Sequence, residues 1–102
     1  MVQLTTYTAN QLRLNIATRS AYLHQKEITL TGLEFNLLKI IIINAGHIVT
    51  RAEIAEAIFH KKTQQCNSSI NSHMLNIRKK ISRLSREEYI KTVRGKGYIL
   101  LQ

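Results

Sequence analysis

Neither proline nor aspartate occurs among the 102 residues, and cysteine occurs only once. Each gap excludes something. With no proline, no low-complexity tract and 44% hydrophobic residues, the composition is that of a globular chain rather than a disordered one. The length suits one domain with one core, residues 1–102. A lone Cys66 has no internal disulfide partner, which fits a reducing cytoplasm. The longest aliphatic run, Ile40–Ile43, is far too short to span a bilayer. The opening MVQLTTYTANQLR lacks the basic-then-apolar plan of a signal peptide, so a cytoplasmic protein without membrane contact is expected.

The same scarcity argues against catalysis and metal binding. Every acid is a glutamate, and Glu87-Glu88 sit adjacent on a polar turn, a poor start for paired-carboxylate chemistry. His24, His47, His60 and His73 lie far apart without paired spacing, so no zinc set forms with the single cysteine. Ser68-Ser69 near His73 suggest a nucleophile and base, but no carboxylate orients the histidine, and helix-capping serines are far commoner. Cys66 follows Lys61 and Lys62 and reads as an inert loop thiol. No enzyme activity and no cofactor are expected.

What is present is positive charge, unevenly placed. Fifteen Lys and Arg against six Glu give a net charge of +9. Residues 1–59 hold five basic residues and four glutamates; residues 60–102 hold the other ten basic residues and only Glu87 and Glu88. Such a block is the electrostatic footprint of a polyanion partner, set against the plainer reading of a solvated basic face.

Along the first thirty residues the pattern alternates as strands do. Leu12, Leu14 and Ile16 point one way and Arg13, Asn15 and Ala17 the other, with Ile28 and Leu30 continuing the rhythm. A small N-terminal antiparallel sheet of three or four strands is expected over about 1–30. Thr31-Gly-Leu-Glu34 then forms a capping box, and Phe35, Leu37, Leu38, Ile40, Ile41 and Ile42 give a largely buried helix ending near Gly46, a plausible C′ residue. Ile48-Val49 reads as a short apolar bridge. Thr50-Arg-Ala-Glu53 is a second capping box, opening a helix with Ile54, Ala57 and Ile58 on its apolar side. Two capped helices joined by a tight turn are the front of a helix-turn-helix.

His60–Cys66 is polar and reads as a loop. A third helix is expected from Asn67 or Ser68 to Leu84, closing a three-helix core over 31–84. Its apolar residues Ile70, Met74, Ile77, Ile81 and Leu84 fall within roughly 80° of one another, a single narrow stripe. Ser68, Ser72, Leu75, Asn76, Lys79 and Arg83 form the opposite side. Small polar residues toward one end let a backbone approach base edges, while Arg78, Lys79, Lys80 and Arg83 reach phosphates. Asn76 can pair bidentately with adenine, and Ser72 can donate or accept at almost any base. Over 89–101, Tyr89–Val93 and Tyr98–Leu101 read as strands of a hairpin closed by Arg94-Gly-Lys-Gly97. That tip carries two cations, Arg94 and Lys96, fit for a minor groove or the phosphates beside it.

At this point the residues resemble a known family. LTGLEFNLL (Leu30–Leu38), GHIVTRAEI (Gly46–Ile54), SINSHMLNIRKKI (Ser69–Ile81) and IKTVRGKGYIL (Ile90–Leu100) resemble the OmpR/PhoB-type winged-helix effector domain of bacterial two-component response regulators. Within that family the third-helix region is most similar to the CpxR subgroup. The resemblance implies an α+β winged helix-turn-helix: an N-terminal antiparallel sheet, three helices and a C-terminal β-hairpin wing. It implies double-stranded DNA as partner and transcription regulation as the role. The positions matching Ser68, Ser72 and Asn76 would face bases or their flanking phosphates, and with Leu75 they make the base-reading set. Arg51, Ser69, His73, Arg78, Lys79 and Thr92 would hold the DNA backbone, and Arg94 with Lys96 would bring the wing to the minor groove.

The resemblance also implies RNA polymerase contact near the His60–Cys66 loop and tandem, head-to-tail copies on DNA. A receiver domain before Met1 is expected, or else a membrane anchor after Gln102. The rival class is a winged helix used as a protein-interaction module. That would carry an apolar or acidic third helix, which the basic C-terminal region argues against. Departures concern the target: Ser68 and Leu75 stand where the family often has arginine or another long polar residue, and Asn71 where it often has aspartate.

Overall fold

Two-residue hairpin turns open the chain. The computed structural model describes residues 5–60 and 63–101, without the side chains of 63–66. Strands β1 (Thr6–Ala9), β2 (Leu12–Asn15), β3 (Ser20–Leu23) and β4 (Lys26–Ile28) form an antiparallel meander in chain order. Its first and last turns place Asn10-Gln11 and His24-Gln25 at positive φ, the conformation that matches the twist of a two-residue hairpin. The expected alternation holds: Leu12 and Leu14 are buried with Ala21, Leu23 and Ile28, while Arg13 is exposed and lies over the Tyr22 ring at 5.2 Å.

Helix α1 (Gly32–Ile43) begins at the expected capping box. Thr31 accepts from the Glu34 amide at 3.2 Å, and the Thr31 amide donates to Glu34 Oε1 at 3.1 Å. Phe35, Leu37, Leu38, Ile41 and Ile42 are buried, whereas Ile40 is half-buried and Ile43 exposed. Asn44 is the C-cap, so Gly46 lies one position beyond the expected C′. It has φ +84, and its amide donates to the Leu100 carbonyl at 3.0 Å.

The apolar bridge is a strand. β5 (Val49–Thr50) pairs with β7 (Gly97–Leu100), which pairs with β6 (Ile90–Val93), giving a three-stranded sheet in the order β5-β7-β6. Two residues are too few to show an alternation, so only the pairing reveals them. Gly97 owes its place to this strand and not to the turn: a Cβ there would stand 2.0 Å from the Val49 carbonyl oxygen. The turn itself needs Gly95, at φ +76.

Helix α2 (Arg51–Ile54) has the second capping box, Thr50 with Glu53, and runs on into a π turn over Ala55–Phe59. The wider turn shifts the buried face. Ile54 and Ala55 are buried and Ile58 half-buried, while Ala57, expected on the apolar side, is exposed. His60 ends the segment at φ 55.

Helix α3 (Thr63–Ser82) starts four residues earlier than the earlier of its two expected starts, Asn67, so most of the expected His60–Cys66 loop is helical. Lys61 and Lys62 lie outside the described residues. The first turn carries no apolar periodicity to announce it, and Ser68-Ser69 consequently sit inside the helix rather than capping it. Ile70, Met74, Ile77 and Ile81 are buried in the same cluster as the inner faces of both sheets and α1.

Candidate nucleic-acid interface

Four sides of α3 meet four environments. The apolar stripe faces the core. Opposite it, Ser68, Ser72, Leu75, Asn76, Lys79 and Arg83 are all exposed. Between these, one flank meets the wing and the other meets α1 and the π turn.

On the wing flank a polar chain ties three elements together. Arg51 donates to Asn67 Oδ1 at 2.7 Å and to the Tyr98 hydroxyl at 2.9 Å. Tyr98 donates in turn to Asn71 Oδ1 at 3.1 Å. Both the Arg51 and Arg78 guanidinium carbons lie over the Tyr98 ring, at 5.1 and 5.7 Å, and Arg78 donates to the Ile90 carbonyl at 2.9 Å. Arg51 and Arg78 are half-buried, holding wing and helix in fixed relation. A guanidinium carries five N–H donors, so these bonds do not exhaust either group.

The other flank is organised around Glu34, 3% exposed. Lys80 Nζ stands 2.5 Å from its Oε1. Burial alone would raise the Glu34 carboxyl. The Lys80 hydrogen bond, the Thr31 amide and the charges of Lys80 and His73 together outweigh it, and the pKa lies below the ordinary value. Lys80 is therefore committed inward to Glu34, although its place in the run Arg78-Lys79-Lys80 suggests a cation free to reach outward. His73, half-buried, stacks on Phe59 at 6.5 Å between centroids, with Nδ1 buried and without a partner among the described residues. Ser69, next to this flank, is exposed.

The wing tip projects its charge. Arg94, Gly95 and Lys96 are exposed, and the turn is closed by the Lys96 amide on the Val93 carbonyl at 2.9 Å. The Arg51 amide donates to the Lys96 carbonyl at 3.2 Å, anchoring the tip to the start of α2. On β6, Thr92 and Lys91 are exposed. Between β6 and the end of α3 lies a cleft of about 710 Å³, with Arg78, Arg86 and Lys91 among its lining groups. The sequence reading missed Asn67, Tyr98 and Lys91 as members of this surface. Tyr98 was marked by the strand pattern Tyr98–Leu101 and by the IKTVRGKGYIL motif, neither of which says anything of a hydroxyl bridging two elements.

A half-exposed helix braced by a cationic hairpin has known counterparts. Residues 25–100 match the family described as "Transcriptional regulatory protein, C terminal". The chain belongs to this family. Among its curated relatives, the regulatory protein VanR of Enterococcus faecium is 33% identical over 93 residues, covering 85% of this chain and 38% of VanR. The transcriptional regulatory protein CpxR of Escherichia coli K12 is 29% identical over 97 residues, covering 94% of this chain and 42% of CpxR. This transcriptional regulatory domain thus spans about two fifths of the relatives it matches.

Solved structures extend the likeness to the N-terminal sheet. The DNA-binding domain of Escherichia coli CpxR superposes with a TM-score of 0.83 at 28% identity, covering 95% of this chain and 96% of that one. The Klebsiella pneumoniae RstA DNA-binding domain, solved in complex with the RstA box, gives 0.84 at 25% identity, with 96% and 98% covered. The regulatory domain is a winged helix of the OmpR/PhoB type, with CpxR-like relatives. Among the described residues no helix is long and apolar enough to cross a membrane.

Proposed function

We propose that this domain binds duplex DNA with sequence preference, as the C-terminal effector part of a cytoplasmic two-component response regulator. The observation that carries the reading is the side of α3 opposite the core. Ser68, Ser72, Leu75 and Asn76 are exposed there beside Lys79 and Arg83, and the cationic wing tip is fixed alongside through Arg51 and Tyr98. Short groups flanked by long cations suit a major groove, with base edges in the middle and phosphates at the margins.

In this reading Ser68, Ser72, Leu75 and Asn76 face bases. Arg51, Ser69, His73, Arg78, Lys79 and Thr92 hold the backbone, the half-buried ones through the donors left free by their internal contacts. Arg94 and Lys96 approach the adjacent minor groove. The 102 residues act as one unit, preceded by a receiver domain, and two copies bind head-to-tail. The His60–Cys66 segment meets RNA polymerase.

A gel-shift series on mixed genomic fragments at stepped salt tests the core of this. Affinity should fall linearly on a log–log plot, with a slope near −0.9 per phosphate neutralised. Absence of binding at low salt, or affinity indifferent to salt, would overturn it.

A further inference from the structure

The hydrogen bonds on the wing flank of α3 fix which edge Asn71 presents. An arginine only donates, so the Tyr98 hydroxyl is the acceptor in its contact with Arg51. Tyr98 is buried, and its single hydroxyl hydrogen goes to Asn71 Oδ1. The network therefore assigns the Asn71 oxygen to the inside and turns Nδ2 away from Tyr98, on a residue that is itself exposed. Asn71 presents N–H donors outward. The two-sided pairing with adenine, which needs oxygen and nitrogen together, is closed to it.

One turn further along stands Leu75, 53% exposed, more than Ile43 or Ile48. Residues four apart on a helix have Cβ atoms about 5–6 Å from each other, so donor and branched apolar group lie side by side. A single exposed leucine needs no explanation on an ordinary surface. Here its neighbours on the same side are the exposed Ser68, Ser72 and Lys79, and the amide beside it has a fixed orientation.

Resting on the DNA-binding reading, we propose that Asn71 and Leu75 act as a pair that selects thymine in the major groove. Thymine alone sets an acceptor, O4, beside an apolar group, the C5-methyl. Guanine offers O6 and N7 but nothing apolar. Cytosine would turn its N4 amino group toward the Asn71 amide, donor against donor. Asn71 thereby becomes a specificity residue of this chain.

The test starts from a randomised duplex pool selected on the domain. In the best-enriched duplex each thymine is replaced singly by deoxyuridine, which deletes only the methyl, and affinity is read by fluorescence anisotropy. One thymine should be sensitive, its replacement weakening binding about fourfold, the value of one buried methylene-sized group. Leu75→Ala, at an exposed site where folding is not at stake, should abolish that sensitivity. In a repeat of the selection, Asn71→Asp should lose the thymine preference at the same position. Indifference of every thymine to deoxyuridine, or sensitivity that survives Leu75→Ala, overturns the pairing and leaves the DNA-binding reading standing. A pool from which nothing is enriched overturns both.

Discussion

Glu34 caps α1 and also receives Lys80 from α3, so one buried carboxylate joins the first helix to the third. Its pKa lies below the ordinary 4.5, which means the folded state holds the ionised form more strongly than the unfolded chain does. Its contribution is complete above about pH 4.5 and is lost as pH falls through the depressed folded value. Melting temperature followed from pH 7 to pH 3 should thus drop more steeply below about pH 4.5 in the wild type than in Glu34→Gln; parallel curves would contradict this. The partner lysine separates stability from binding. Lys80→Met leaves a buried carboxylate unpaired and should cost about 2–3 kcal/mol, somewhat under the 3–5 of a fully buried pair because Lys80 is partly solvated. Its DNA salt slope should stay unchanged, whereas Lys79→Ala should lower that slope by about one. Equal slopes for the two variants would show that their assigned directions are wrong. Both capping boxes were legible in the sequence because the motif is local, Thr to Glu over three positions. The inward turn of Lys80 was not, since its partner is forty-six positions away.

Among the elements, the helices and the hairpin announced themselves and their joints did not. Apolar spacing located α1 and the core stripe of α3, because each runs several turns against the same cluster. Three features were hidden: β5, with only two residues; the first turn of α3, whose single in-phase apolar residue, Cys66, makes no periodicity by itself; and the π turn, which buries Ala55 in place of Ala57. The two wing glycines look alike in sequence yet answer to different constraints. Gly95→Ala meets nothing within 4 Å and incurs only the positive-φ penalty, about 1–2 kcal/mol. Gly97→Ala drives a methyl into the Val49 backbone and should cost at least the 1–3 kcal/mol of an overpacked site, loosening β5 from β7. Thermal melts should rank Gly97→Ala well below Gly95→Ala; the reverse order would mean that the three-stranded pairing is not what Gly97 serves.

At the scale of the whole molecule, charge and shape converge on one surface. The basic C-terminal region was plain from the charge distribution, and helical spacing put Ser68, Ser72, Leu75, Asn76, Lys79 and Arg83 together on the exposed side of α3. The clamp that sets wing against helix, Arg51 to Tyr98 to Asn71, needed coordinates, because it joins residues from three separate stretches of the chain. A surface with one helix and one wing is small, about 600–1,000 Å² for single modules of this kind, and its proposed readers Ser68, Ser72 and Leu75 are short. One copy should therefore bind weakly. A direct repeat with half-sites one helical turn apart should take two copies, and more tightly than an inverted repeat of equal spacing. Sedimentation of the complexes reads the stoichiometry, and a tight one-to-one complex on a single half-site at physiological salt would refute the tandem arrangement.

The central claim, that the outer side of α3 and the wing tip are the DNA-facing surface, is met most directly by an NMR titration of the ¹⁵N-labelled domain with a selected duplex. The account predicts amide shifts concentrated at Ser68, Ser72, Leu75, Asn76 and Lys79 and at Arg94–Lys96, with the sheet residues Arg13 and Tyr22 unmoved. Shifts centred on the N-terminal sheet, with α3 silent, would contradict it.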